Sequence, residues 1–372
     1  MGFEAAILPT GGTSAITTVG RVDPLDRTVS TQLIRLVRDA ARQAGAEPGQ
    51  LAGIHGLDEQ TLAVELNRIP LDSLIRLWEL IAHLRPGPGA GVAVAAAAPL
   101  GTLTTWDYLV TTGSTLAESL RAAQPYHRVV TAAGESFELD GEGDLTVGYR
   151  TTAGDPAVSA VVNEYLLAYY LRRAREATGR PVRAKRVTFG HPAPHGHSIL
   201  AEAFGTTDIE FGAPADSITF HADDAAASLH RADPILGDLL RSHADLVLAS
   251  SRAVPGPLEA FRAALAAALA DGDLTLDAVA RRLLLGRRSL QRRLADHGTT
   301  WRYEVDLLRY ERAETLLAEG RSTAAVAARL GFTDDRALRK AFQRWRGTSP
   351  TGLAQTDRAV ASRDLGAGAI GS

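Results

Sequence analysis

The chain says one phrase twice: Ala278-Val279-Ala280-Arg281-Arg282-Leu283 returns as Ala325-Val326-Ala327-Ala328-Arg329-Leu330, and each copy leads into a second, arginine-rich run. Helices that cross at a tight corner need small residues at the crossing and bulky apolar ones to hold it. At helical spacing Val279, Ala280 and Leu283 share one face, as do Val326, Ala327 and Leu330. The duplication predicts two helix-turn-helix units in one all-α region. In the second turn, Gly331-Phe332-Thr333, glycine accepts a left-handed backbone, Phe332 can plug the crevice and Thr333 can cap the next helix. The first turn, Leu284-Leu285-Gly286, has its glycine at the cap position and none in the turn itself, which leaves its geometry open.

In the run after the first turn, Leu290 and Leu294 point inward and leave Arg287, Arg288, Gln291 and Arg292 outside. In the second run, Ala337, Leu338, Ala341 and Phe342 form the inner face, with Asp335, Arg336, Arg339, Lys340, Gln343 and Arg344 outside. Guanidinium and amide forks match guanine and adenine edges in the major groove, and an outward Asp accepts from cytosine or buttresses a neighbouring Arg. These are the candidate DNA-binding residues. A lone Arg-rich helix is ordinarily just a solvated face; two phased copies argue otherwise here. Residues 301–319, closed by Gly320, predict a connecting helix roughly 28 Å long at ~1.5 Å per residue. A spacer of that length suits two recognition helices about one DNA turn, ~34 Å, apart.

Charge agrees locally. The whole chain is formally −3, but residues 271–355 carry 15 Arg and one Lys against 11 Asp plus Glu, a surplus of +5 that leaves −8 elsewhere. Positive charge thus sits where phosphates would need neutralising. The predominance of arginine over lysine and the abundance of alanine read as the codon bias of a GC-rich bacterium. With no cysteine, disulfides, thiolate metal sites and cysteine nucleophiles are excluded. No apolar run approaches the ~20 residues of a membrane span. The N-terminus lacks a basic region followed by an apolar core, so a cytoplasmic location without membrane contact is expected.

Residues 274–353 resemble the DNA-binding domain of AraC/XylS-type bacterial transcription regulators. The resemblance rests on Ser289-Leu290-Gln291-Arg292-Arg293-Leu294, Leu330-Gly331-Phe332 and, most specifically, Lys340-Ala341-Phe342-Gln343-Arg344-Trp345-Arg346-Gly347-Thr348-Ser349-Pro350. Leu284 stands where that family commonly has a turn glycine, and Leu338 where it commonly has phenylalanine; both replacements are apolar.

The region before it reads as an α+β domain. Helical phasing predicts a helix from near Ser30 to Gly45, a second over Leu71–Leu84, others over 114–123 and 235–250, and a long one over Pro156–Thr178. Leu145, Val147 and Tyr149 alternate with Thr146 and Gly148, and runs 186–189, 209–211 and 218–220 are strand-like. The small, apolar stretch 91–100 suggests no definite element. Val254-Pro255-Gly256-Pro257 marks the boundary. The expected organisation is a disordered lead (1–20), an effector-binding and dimerisation domain (21–252), a linker (253–257), an all-α domain of two helix-turn-helix units joined by a long helix (258–353), and a flexible tail (354–372). The N-terminal region resembles the arabinose-binding-type sensor of one branch of the same family, through Leu100-Gly101-Thr102-Leu103, residues 115–120 with Tyr126-His127-Arg128, and Val187-Thr188-Phe189-Gly190-His191-Pro192-Ala193-Pro194. That resemblance implies a sensor for a small molecule, not for arabinose in particular.

An enzyme would need a site, and the best candidate is His191, His195 and His197, which His221, Asp223 and Asp224 could join. Two prolines and a glycine make that segment a turn, so ordinary loop histidines are expected, with no metal, cofactor or catalytic residue. No phosphate loop, nucleophile elbow or zinc-protease motif occurs. Trp78, Trp106, Tyr108, Tyr126, Tyr165, Tyr169 and Tyr170 are core residues or the lining of a pocket. The expectation is a DNA-binding transcription regulator answering to an effector, with promoter DNA and the effector as partners and a second copy of the chain and RNA polymerase as further candidates. A ligand-independent DNA-binding protein and a metal-dependent enzyme fused to a DNA-binding module are the alternatives.

Overall fold

The computed structural model describes residue 23 and residues 25–132, 136–141, 143–150 and 155–346; the lead, the tail and Gly347-Thr348-Ser349-Pro350 lie outside the described residues. Between Val254 and Pro255 the chain divides into two units.

The first unit begins with β1 (Thr28–Ser30), α1 (Thr31–Ala44), α2 (Pro48–Ala52), α3 (Glu59–Ala63), β2 (Asn67–Pro70), α4 (Leu71–Leu84), α5 (Ala90–Ala96), α6 (Thr105–Leu109) and α7 (Leu116–Ala123). A 3-10 turn (Gln124–Val129) leads to β3 (Ser136–Asp140), β4 (Leu145–Arg150), α8 (Pro156–Thr178), β5 (Ala184–Phe189), α9 (Ser198–Phe204), β6 (Ile209–Phe211), β7 (Asp216–Phe220), α10 (Ala222–Ala225), α11 (Pro234–Ser250) and β8 (Arg252–Ala253). The helix ends follow local chemistry: Ser30 caps α1 by accepting from the Leu33 N–H, Asp155 caps α8, and left-handed glycines Gly45 and Gly179 end both.

Five strands form a sheet in the order β3-β4-β7-β5-β6, antiparallel except for β5 with β6. Its register lines up Leu139, Val147, Ile218, Val187 and Ile209 across all five strands. The central three of these are fully buried, while Thr146–Thr219 and Thr188–Ser217 hydroxyl pairs, 2.9 and 2.8 Å, occupy the other face.

α8 is the central helix of this unit, buried along most of its length. It lies so close to α5 that a Cβ on Gly91 would sit 2.1 Å from the Val161 carbonyl oxygen, so only glycine fits. Glu164 completes the junction by accepting from the backbone N–H groups of Gly89 and Gly91 at 2.9 and 3.2 Å; burial, opposed by these two bonds, pushes its pKa up to about 7. The stretch 91–100, given no element from sequence, thus contributes a helix whose small residues are there for close approach.

A smaller sheet, β1-β2-β8, was not visible in the sequence. Its strands are two to four residues long, too short to show alternation. β8 pairs in parallel with β2, tying the last residues of this unit to its interior.

The second unit is all helical: α12 (Pro257–Ala270), α13 (Leu276–Arg282), α14 (Arg287–Asp296), α15 (Trp301–Ala318), α16 (Thr323–Arg329) and α17 (Asp335–Arg346). It has two cores. Phe261, Leu265, Val279, Ala280, Leu290, Leu294 and Val305 make the first; Ala313, Val326, Ala327, Leu330, Leu338 and Phe342 make the second. α15 gives its N-terminal half to one and its C-terminal half to the other, so the spacer is also a structural partner of both units. At ~1.5 Å per residue its 18 residues span about 27 Å.

Candidate functional site

Each helix-turn-helix unit is built from the repeated phrase. Thr275 caps α13 and Ser322 caps α16, each accepting from the N–H three residues on. Val279 and Ala280, like Val326 and Ala327, are buried at the crossing. The first turn, left open by the sequence, is formed without glycine: Leu284 takes φ 53°. In the second unit, Phe332 packs into the core with Trp345 beside it and the Arg309 guanidinium 4.9 Å above its ring. Thr333 is not the cap of α17. The helix starts at Asp335, one residue later than that reading needs, and Asp334 accepts from the Ala337 N–H at 2.7 Å.

The inner faces are as expected: Leu290, Leu294, Leu338, Ala341 and Phe342 are buried and Ala337 is half-buried. Arg287, Arg288, Gln291 and Arg292 are exposed together on α14, and Arg336, Arg339, Lys340, Gln343 and Arg344 on α17, with Asp335 half-buried. Three of the cations are held by carboxylates: Arg287 by Asp277 (3.2 Å), Arg339 by Asp335 (2.6 Å) and Arg344 by Asp306 (2.8 Å). Asp335 therefore buttresses an arginine, one of the two roles open to it. Among the described residues Arg288, Arg292, Arg336 and Lys340 have no ion-pair partner, so their charge is available to an anionic surface.

On α15, Glu304 is a buried carboxylate that accepts from Arg262 Nε and Nη2 (2.8 and 3.1 Å) and from the Thr299 hydroxyl (2.8 Å). Burial pushes its pKa up, but the bonds and charge of Arg262 and the Thr299 bond outweigh that and hold it below the usual range. The pair braces α15 against α12. Sequence reasoning missed it, because 42 residues separate the partners and each looks like a surface charge.

In the first unit, five of the seven aromatic candidates, Trp78, Trp106, Tyr165, Tyr169 and Tyr170, line a partly open cavity of about 40 Å3 together with His127 and Tyr149. Tyr108 is instead partly exposed against Gly101 and Tyr126 packs at the edge of the core. Room of that size holds a few waters. Burial, then the nearby Arg68 charge, push the His127 pKa down to about 4, so its imidazole is neutral at pH 7. Tyr169 also donates to Asp107, which accepts from Arg173 Nε (2.9 Å) and from the N–H groups of Gly101 and Leu103 (2.8 and 2.9 Å). This buried network anchors the 99–103 loop at the cavity wall.

The histidine segment is locally engaged. His191 Nδ1 lies 2.9 Å from the Pro192 carbonyl and His197 Nδ1 3.2 Å from that of Pro194, with the His197 ring 4.9 Å from Phe211. His221 precedes α10, where Asp224 pairs with Arg180 at 3.2 Å. Among the described residues no group of three His, Asp or Glu is placed to hold a metal, and no helix is long and apolar enough to cross a membrane.

Residues 45–229 match the family described as the arabinose-binding domain of AraC transcription regulator, N-terminal, and residues 279–356 match a helix-turn-helix domain family. The chain is similar to the ornithine utilization regulator of Pseudomonas aeruginosa, 29% identical over 249 residues that cover 66% of this chain and 72% of the relative. It is also similar to the HTH-type transcriptional regulator VqsM of that organism, 38% identical over 78 residues, 21% of this chain and 24% of the relative. The crystal structure of the transcriptional regulator CdpR from Pseudomonas aeruginosa aligns over 87% of this chain and 98% of that one, at 19% identity and a TM-score of 0.43.

Proposed function

The chain belongs to the AraC-type transcription regulators, DNA-binding proteins with a ligand-binding N-terminal domain, and we propose that it reads promoter DNA through Arg287, Arg288, Gln291 and Arg292 of α14 and Asp335, Arg336, Arg339, Lys340, Gln343 and Arg344 of α17. The observation that carries this is the pairing of two exposed basic helices, each seated on its own core, along one connecting helix. We assign sensing and dimerisation to residues 21–252, the linker to 253–257 and DNA reading to 258–353. The protein acts in the cytoplasm and catalyses no reaction.

Binding-site mapping across the genome, followed by titration of the full-length protein on a mapped site, tests this reading. Arg288→Ala and Arg339→Ala are each expected to cost ~1–3 kcal/mol at a specific site, with affinity falling steeply as salt rises. Binding that is indifferent to salt and to both substitutions would refute it.

The effector buries its apolar part in the aromatic cavity, which widens to admit it. The relative's name makes amino acids and diamines sensible first probes in a thermal-shift screen, each hit being followed by operator titration. Coupling of about 1–3 kcal/mol is expected, and operator DNA should change ligand affinity by the same factor. If every stabilising ligand leaves operator affinity and transcription unchanged, the ligand-independent reading takes its place.

A second copy docks on α11, where Ile235, Leu239 and Leu246 stand exposed on one stripe with Asp238, Arg241 and Asp245 beside them. Charges of both signs flanking an apolar stripe suit a self-complementary face. Sedimentation of Leu239→Asp should show monomer; an unchanged dimer excludes this face. RNA polymerase is the remaining partner, to be tested by transcription in vitro.

A further inference from the structure

Among the described residues of the first unit three arginines are buried, and two of them meet carboxylates: Arg173 meets Asp107, and Arg38 meets Asp39 and Glu59. The third, Arg68 on β2, is 2% exposed and among the described residues donates only to neutral oxygens: Nε to Thr28 Oγ1 (3.3 Å), Nη1 to the Val129 carbonyl (2.6 Å), and Nη2 to the carbonyls of Thr28 (3.2 Å) and Arg128 (3.0 Å). The nearby acids Asp23 and Asp26 are taken at the surface by Arg128. Burial, then the charge of Arg128, lower the Arg68 pKa to about 10, so it remains a cation at pH 7. A buried charge without a counter-charge is a standing cost, and an anion that reaches it removes that cost. Of its five N–H groups, one on Nη1 is uncommitted among the described residues.

Arg68 lines a pocket of about 120 Å3, larger than the aromatic cavity, with Ser30, Gln32, Thr104 and Thr105 also on its wall and Glu65 and His243 exposed at its edge. Leu103 lines both spaces. Thr104 holds φ 47° and ψ −121°, a backbone conformation that costs a non-glycine residue energy and recurs at ligand sites. The strand beneath leads out of the unit: the Arg68 carbonyl accepts from the Val254 N–H at 2.8 Å and the Leu66 carbonyl from the Arg252 N–H at 2.9 Å. Val247 of α11 and Ser251, which follows that helix, line the same pocket.

We propose that this pocket binds a small organic carboxylate, its charge set against the Arg68 guanidinium and its oxygens served by the hydroxyl and amide groups of the wall, and that occupancy is transmitted through β2 and β8 to the DNA-binding unit. The second half of the proposal rests on the sensor reading; the first does not.

The test is calorimetry on full-length protein at low salt, with linear mono- and dicarboxylates of two to eight carbons, benzoate, the amines matched to them, and sulfate. At least one carboxylate should bind, at least tenfold more tightly than its matched amine and than sulfate. Arg68→Gln should abolish that binding. Because this variant also loses structural bonds, Thr104→Gly serves beside it: glycine relieves the backbone while removing a hydroxyl, and several-fold weaker binding is expected in a folded protein. Glu65→Gln, which removes a negative charge from the rim, should tighten binding at low salt. No carboxylate binding, equal binding of sulfate, or binding untouched by Arg68→Gln and Thr104→Gly overturns the site. Binding that leaves operator affinity unchanged overturns the transmission and keeps the site.

Discussion

In the first helix-turn-helix copy the corner residue is Leu284, at φ 53° and 93% exposed; in the second it is Gly331, at φ 73°. Both corners nevertheless close with the same bonds: Leu285 N–H to the Ala280 carbonyl and Phe332 N–H to the Ala327 carbonyl, each 2.9 Å. Leucine in the left-handed region costs roughly 1–2 kcal/mol. The first copy bears that cost because its neighbours are already fixed by burial, Val279 and Ala280 on one side and Leu290 on the other. Glycine makes such a corner cheaper; the packed crossing makes it happen. The copies differ in bracing as well. The first has the ion pair of buried Glu304 with half-exposed Arg262, and the second has the Phe332, Trp345 and Phe342 rings with Tyr310.

If the two cores are independent, damage to one should stay there. Phe342→Ala is expected to cost about 3–5 kcal/mol and Leu290→Ala about 2–5 kcal/mol, with hydrogen exchange accelerating chiefly in α16 and α17 for the former and in α13 and α14 for the latter. Equal deprotection of α14 by Phe342→Ala would instead make the domain one cooperative block.

The ionic brace of the first copy is next in size. Glu304→Gln should destabilise by about 1.5–3 kcal/mol at neutral pH, toward the lower figure because Arg262 is half-exposed. Since the folded state holds the Glu304 pKa below its unfolded value, this contribution is complete above the ordinary glutamate range and is lost as pH falls through the lowered value. Urea titrations at pH 7 and in increasingly acid buffer should therefore show wild type and variant converging; a constant gap would mean the pair does not titrate as described.

Arg288 has no ion-pair partner among the described residues, whereas Arg339 leans on Asp335. Asp335→Ala should leave Arg339 with more than one geometry, costing ~1 kcal/mol at the specific site and relaxing preference only for bases under the second copy. Selection of binding sites from a random library with each variant reads this directly. Relaxation under the first copy would place α17 in the wrong half of the site.

The corner itself is the smallest effect. Leu284→Gly should stabilise by about 0.5–1 kcal/mol, because an exposed leucine gives up little burial, while Gly331→Ala should cost ~1 kcal/mol at a site with room for the methyl group. Thermal unfolding of the two single variants checks opposite signs.

The DNA-reading half was legible because everything in it is local or repeated. Helix phasing placed the inner leucines and the outer arginines, and the structure moved only one cap, from Thr333 to Asp334. The α+β half was legible element by element, with α4 and α8 ending where their residues say they should. Its sites were not. Seven aromatic residues looked alike in the sequence, and only the fold sends five of them to a cavity.

The duplicated helix-turn-helix is written in the order of residues, because periodicity, small crossing residues and outward cations act over a few residues and need no distant partner. Only the tertiary fold makes Arg68 a buried cation with no carboxylate partner among the described residues, shifts the pKa values of Glu164 and Glu304, alike in sequence, in opposite directions, and hangs the exit from the first unit on β2 through β8. Each depends on which groups from far along the chain arrive beside it and on how much water they displace. Burial and counter-charge are properties of a place in the fold, and a residue's sequence neighbours do not specify that place.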